Sequence, residues 1–553
     1  MSGTATIVPA PAGDAHPPPD RRRLSLRHRH SHGHSHHRRR ARPSTVVGAM
    51  VVAFTLAPLV FLLIDAHHAG WQEVHTVLFR ARSAMLLSNT GKLVVIVCAT
   101  TAVVGTATAW CLERLALPAR RLLAALVVLP IAFPDFVVGY TWHSTFPWIH
   151  GLMGASLVMT LTSYPLVYLP VRAALRRADP EAEGVARSLG LGPWETFWRV
   201  TMRQVLSGLA GGCLLVALAV MAEFGAFEIL RFQTFTTEVF TEFQFDPAAA
   251  SALALPLAMM GLLVLAGEAV VTRRTHPTGP TVSRDPVRVK PSTSAGAGVL
   301  VAFGGLVGLA VVLPIATLIG WMVRSQRTTL PASTSLAHAL ASTVGYGAGG
   351  ALLATVLAVP VAVMAVRRPH TLQRVMERGA YLVQGLPGVV VALSAVFFTT
   401  RYAYRLYQSS TLLIVVYALL FLPLALVCVK VSVVQTSESY AEVSRSLGRG
   451  PLASFALITV PLIAPGLAAG FCLVFLSSVT ELTATLILIP IGHHTLVTQF
   501  WAYQGAAAYG AAAPYALVMI LVAGIPTLLL NNWFARRATG ATGTTGTTLP
   551  VLT

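Results

Sequence analysis

The chain has 553 residues, 55% of them hydrophobic and only 11% charged, with a mean hydropathy of +0.68. An ordinary soluble globule carries about 25% charged residues and is excluded; the short alternating strands of a membrane β-barrel, roughly ten residues each, are absent. The net charge of +19 does not point to nucleic acid, because the basic residues cluster at the amino terminus and between apolar stretches, so no nucleic-acid partner is expected.

Residues 1–45 are rich in Pro, Arg and His and are expected to form a disordered tail. Its histidines, His28, His30, His32, His34, His36 and His37, are interspersed with arginines, which oppose cation capture and suit anionic lipid better. Apolar stretches of about 20 residues then recur, each long enough to cross a bilayer core as a helix. Six fall at roughly 46–66, 90–112, 122–141, 151–171, 205–228 and 250–272. Six more fall at roughly 298–322, 341–366, 379–399, 411–434, 462–486 and 512–531. The expected fold is therefore an all-α integral membrane protein of about twelve transmembrane helices. It divides into module 1 (46–272), a polar linker (273–297), module 2 (298–535) and a flexible Gly/Thr-rich tail (536–553). Cys98, Cys111, Cys213, Cys428 and Cys472 all lie in apolar spans without a CxxC pair and read as packing residues.

Arginine and lysine are concentrated on alternate loops, including Arg120, Arg121, Arg172, Arg176, Arg177, Arg367 and Arg445. By the positive-inside rule this face, with both termini, is cytoplasmic. On the same face a segment repeats. Arg187-Ser188-Leu189-Gly190-Leu191-Gly192-Pro193 returns 258 residues later as Arg445-Ser446-Leu447-Gly448-Arg449-Gly450-Pro451. The same shift pairs Pro165 with Pro423, Gly208 with Gly466 and Glu223 with Glu481. One module has been duplicated, and an even number of spans per copy makes the two halves parallel.

Each repeated segment reads as a short helix, a glycine turn and a second helix, an elbow shaped to enter a partner's groove. The elbows resemble the "EAA" coupling loop of ABC-transporter permeases: Glu442, Gly448 and Val460-Pro461 fit its pattern in the second half, with Val443-Ser444 in place of Ala-Ala. In the first half Gly190 fits, but the glutamate position holds Gly184 with Glu183 beside it, and the proline position holds Arg203. Ala222-Glu223-Phe224-Gly225-Ala226 and Glu481-Leu482-Thr483-Ala484-Thr485-Leu486 are similar to segments of fused permeases in the ferric-iron transport family. That resemblance implies two cytoplasmic ATPase subunits gripping the elbows through Glu183, Ala186, Arg187, Leu189, Gly190, Glu442, Arg445, Leu447, Gly448 and Pro461. It also implies a substrate-binding protein on the other face of a bacterial inner membrane.

No G-x-x-x-x-G-K-[ST] loop occurs, so ATP hydrolysis is expected on the partner chains, with no cofactor held by this one. Glu223 and Glu481 are equivalent intramembrane acids. Such acids usually face protein or water, so they either flank a cation path or close helix ends. Pro134 and Pro387 are expected to break the third and ninth spans, and broken helices can line a path. Asp135 and Glu228 have no acidic counterpart in the second half. The substrate stays open at this point: ferric iron, thiamine, phosphonate or another small solute. An ion-coupled secondary transporter, which needs no paired elbows, is the reading from a different class.

Overall fold

The computed structural model describes residues 43–178, 180–274, 288–325, 330–367, 371–437 and 439–540. The His-rich segment, Asp179, Glu438, the middle of the linker and residues 541–553 lie outside the described residues. The first half contains α1 (Pro43–Ala69), α2 (Trp71–Leu78), α3 (Ala81–Arg114), α4 (Arg120–Val128), α5 (Asp135–Thr145) and α6 (Gly151–Arg177). It continues with α7 (Pro180–Ser188), α8 (Pro193–Thr196), α9 (Met202–Ala222), α10 (Gly225–Ile229), α11 (Phe235–Phe245) and α12 (Pro247–Arg274). The second half follows a similar order. It runs α13 (Thr293–Val307), α14 (Leu313–Arg324), α15 (Ser333–Arg367), α16 (Thr371–Leu382), α17 (Gly388–Tyr402) and α18 (Ser410–Gln435). It ends with α19 (Ser439–Ser446), α20 (Pro451–Ser454), α21 (Val460–Thr480), α22 (Thr483–Leu488), α23 (Leu496–Gly505) and α24 (Tyr509–Gly540). It differs in that α13 and α14 together make its first span and α2 has no counterpart.

Among the described residues ten helices are long and apolar enough to span a membrane, and up to twelve spans result if each of two bent pairs counts as one. The bends, 92° and 105°, fall at Pro134 and Pro387. Proline forces the preceding residue out of the helical region, and Phe133 and Leu386 are indeed extended, each after a 3₁₀ turn. Both third spans therefore turn sharply, and α5 and α17 start again from the middle of the bundle.

The core of each half is a triangle of spans: α3, α6 and α9 in one, α15, α18 and α21 in the other. The first spans are exchanged between halves. Helix α1 packs on α15, α16 and α17: Ser394 donates to the Pro58 carbonyl at 2.9 Å, and the Phe61 and Phe398 rings lie 4.8 Å apart. Reciprocally, α14 packs on α5, where Thr145 and Thr317 share a hydrogen bond of 3.0 Å. The sixth spans cross over too, with α12 against Val383–Gly385 and α24 against Leu129–Ala132.

On the face opposite the elbows, α11 and α23 are capped alike, by Thr234 with Thr237 and by Thr495 with Thr498. Each is tied to the second long span of its half by the same bond. The Phe235 N–H donates to Thr90 at 3.2 Å, and the Leu496 N–H donates to Thr343 at 2.8 Å.

Candidate functional site

Helix α7 begins with Pro180, Glu181 and Glu183, a composition that suits a helix amino terminus. It ends in a Schellman turn: the Gly190 N–H donates to the Arg187 carbonyl at 3.0 Å and the Leu191 N–H to the Ala186 carbonyl at 3.1 Å. Gly190 is left-handed, with φ +87°, and Gly448 follows at +82°. In the second elbow the Arg449 N–H donates to the Ser444 carbonyl at 3.2 Å, completing the equivalent bond. The Gly192 and Gly450 carbonyls then start α8 and α20, each accepting a bond of 2.9 Å from Thr196 or Ser454. Both second arms contain one π-helical turn, Phe197–Thr201 and Phe455–Thr459, again 258 residues apart.

The elbow tips are apolar and open. Leu189 is 77% exposed and Leu447 76%, and Val185 and Val443, one turn earlier, are both exposed. Four exposed aliphatic side chains in two matched pairs form two knobs, an arrangement suited to insertion in a partner's groove. Arg187 and Pro461 are exposed and Ala186 is buried, so Ala186 holds the first elbow to the body. The Arg445 side chain lies outside the described residues.

The two glutamates near the elbows differ in placement. Glu183 faces inward: it accepts from Arg114 at 2.7 Å and from Thr201 at 2.9 Å, tying the elbow to the end of α3 and to the π turn. Glu442 faces outward and is exposed. Arg367, which ends α15 as Arg114 ends α3, has a buried Nη2 with no hydrogen-bond partner among the described residues. The first elbow is clamped where the second is not.

Helices α9 and α21 run from the π turns to the join of the halves and end at Glu223 and Glu481. Each carboxylate caps the short helix that follows: Glu223 accepts from the Ala226 N–H at 2.7 Å and Glu481 from the Ala484 N–H at 3.0 Å. Glu481 also lies against Gly388, the first residue of α17, where a Cβ would come within 2.7 Å of the carboxylate oxygen. The matching first residue of α5 is Asp135, and Glu223 lies within electrostatic reach of both Asp135 and Glu481. All three acids are half-buried. Around them the halves meet through Phe136, Phe224, Gly225, Leu482, Phe500 and Trp501. Pro134 and Pro387 thus sit beside the carboxylates, at the breaks that bring α5 and α17 to this point. Among the described residues, no three His, Cys, Asp or Glu side chains are arranged to hold a metal ion. His493 is exposed and bonds Tyr346 at 2.9 Å.

Sequence reasoning missed Asp135 as a third member of this group, because its counterpart is Gly388 and no repeat signals it. It also missed the ion network around Glu113 at the elbow end of α3. The only trace was an acid sitting among the arginines of the basic face.

Two exposed knobs, each connected by a helix to an acid at the join of two parallel halves, form the layout of a membrane transport permease. The model of the family described as "Binding-protein-dependent transport system inner membrane component" matches residues 38–276 and 354–540. The chain belongs to this family, as a two-module permease of a binding-protein-dependent ABC importer. It is 36% identical over 485 residues, 86% of this chain and 95% of the relative, to the Fe(3+)-transport system permease protein FbpB 2 of Haemophilus influenzae. It is 28% identical over 237 residues to the sulfate transport system permease protein CysT of Escherichia coli, covering 39% of this chain and 86% of that protein. Over 138 residues it is 32% identical to the molybdenum transport system permease protein ModB of Escherichia coli, covering 21% of this chain and 58% of the relative.

Proposed function

We propose that this chain forms the path of a ferric-iron importer, with elbows and both termini on the cytoplasmic side. Two ATPase subunits take the knobs at Leu189 and Leu447, while a substrate-binding protein delivers iron to the face carrying α11 and α23. ATP is used by those partners, and this chain holds no cofactor. Closure of the ATPases moves the elbows, and α9 and α21 carry that motion to the midline, where the path opens alternately to the two sides.

The observation that carries the iron reading is the group formed by Asp135, Glu223 and Glu481, together with the likeness to the ferric-iron permease. Carboxylate oxygens suit a hard cation. The likeness to the sulfate and molybdenum permeases covers 39% and 21% of this chain, against 86% for the ferric-iron permease.

Uptake of radiolabelled ferric iron in a strain lacking the gene tests this. Uptake is expected to fall and to be restored by the wild-type gene. The Glu223→Gln/Glu481→Gln variant should restore it at least about tenfold less well, with the ATPases still bound. Unchanged iron uptake in a strain with no second iron importer would overturn the substrate and leave thiamine or phosphonate to be tried. Full restoration by the double variant would make the two acids structural caps.

A further inference from the structure

Where α3, α4 and α6 reach the basic face, one carboxylate holds three arginines. Glu113 is buried, and it accepts from the Arg172 Nε at 2.6 Å, the Arg176 Nε at 3.0 Å and the Arg120 Nη2 at 2.5 Å. The Arg120 Nε is used on the Leu112 carbonyl. Arg172 is further propped on the Tyr168 ring, its guanidinium 5.6 Å from the centroid. Arg172 and Arg176 give Glu113 their inner nitrogens, Arg172 also lies beside the Tyr168 hydroxyl, and among the described residues the Arg176 Nη pair bonds no other acceptor.

Among the described residues charge is left over. Three guanidinium groups meet one carboxylate, and Arg288, brought in by the bridge between Val289 and Leu115, adds its field to Arg120. Excess positive charge in a half-buried site calls for a counter-anion. Planar Nη pairs fixed from behind by a carboxylate match the oxygens of a phosphate.

We propose that this cluster is a site for the phosphate headgroup of one anionic phospholipid per chain. The source is lipid because apolar surface lies open beside the arginines. Leu169 is on the same face of α6, three residues before Arg172 and seven before Arg176, and Leu122 is two residues after Arg120; both are exposed. These leucines give acyl chains a surface to lie on, which a free anion does not need. Among the described residues the other half has no such site. The positions of Glu113, Arg172 and Arg176 are held there by Val366, Lys430 and Val434, and Lys430 pairs with Glu377. Arg114, adjacent to Glu113, holds Glu183, so an occupied site bears on the clamp of the first elbow.

The proposal rests on the membrane reading alone and is independent of which solute is carried. The test is native mass spectrometry of the permease–ATPase complex, taken from nanodiscs of phosphatidylcholine with a minor fraction of phosphatidylglycerol. One phosphatidylglycerol per permease is expected to survive delipidation. Its occupancy should fall about tenfold or more in Arg172→Gln/Arg176→Gln and be unchanged in Lys430→Gln. Because the double variant also strips Glu113 of partners, a second measurement uses the wild-type complex alone. As the phosphatidylglycerol fraction rises, the tightly held lipid should level off at one per chain. No retained lipid, equal retention in the double variant, or a count that climbs without levelling overturns the site. Inorganic phosphate binding there in discs of phosphatidylcholine alone, with no phosphatidylglycerol retained, would assign it to a soluble anion and overturn the lipid.

Discussion

Gly448 has φ +82°, and nothing lies within 4 Å of where its Cβ would be, so backbone and not space restricts this position. Proline fixes φ near −65° and cannot take that turn. Gly448→Pro should insert in the membrane at normal abundance, because the elbow is outside the spans, yet transport should be lost. Alanine carries only the left-handed cost, roughly 1 kcal/mol, and should retain most uptake. Immunoblotting of membranes alongside uptake separates the two effects, and normal transport by the proline variant would sever the elbow from coupling. Both glycine turns were legible because the same residues recur. The different placements of Glu183 and Glu442 were not. Their offset of one residue looks small in a string of letters, but one residue turns a helix by about 100°, enough to take one carboxylate inward and leave the other outside.

Close approaches between helices set what each element tolerates. Gly208 lies against the Pro170 carbonyl, where a Cβ would sit at 2.7 Å, and Gly466 lies against the Cys428 carbonyl at the same distance. The two contacts are equivalent under the 258-residue shift and fix α9 on α6 and α21 on α18. Gly208→Val or Gly466→Val should each lower stability by about 1–3 kcal/mol or more, seen as a lower melting temperature of the purified permease. Gly211→Val, with open space at its Cβ, is the control and should melt as the wild type does. Hydropathy and proline gave the long spans and their two breaks. The short helices α2, α11 and α23 escaped because they are too brief for a hydrophobic period to stand out from the loops. Register explains the rest. Matching threonines lie 253 residues apart at Thr90 and Thr343 but 261 apart at Thr234 and Thr495. A repeat sought at one fixed shift therefore fades beyond the elbows.

At the scale of the whole molecule, the number and parallel arrangement of spans were readable, but their partners were not. A span facing lipid and a span facing protein are both apolar, so hydropathy does not reveal that α1 leaves its own half to pack on α15, α16 and α17. Because α1 and α14 each clasp the opposite half, the covalent link is not what holds the halves together. A chain divided between Arg274 and Thr293 should yield two fragments that co-purify when made together. Either made alone should be rapidly degraded, and fragments that fail to associate would show that the exchanged helices contribute little to cohesion.

The exchange also sets a timetable for the ribosome. About 260 residues separate the end of α1 from the start of α15, the first of its partners in the second half. At about 5–20 residues per second, synthesis of that stretch takes roughly a quarter of a minute to a minute. Through that interval α1 lies in the membrane without α15, α16 and α17, with only α2 and, late in the interval, α12 to pack on. Asp65, near its end, gains its bond to Ser251 only after α12 has emerged. The newborn protein therefore has a waiting period written into its topology, and an insertase or membrane chaperone that shelters the first helix would matter more to its yield than to its finished stability.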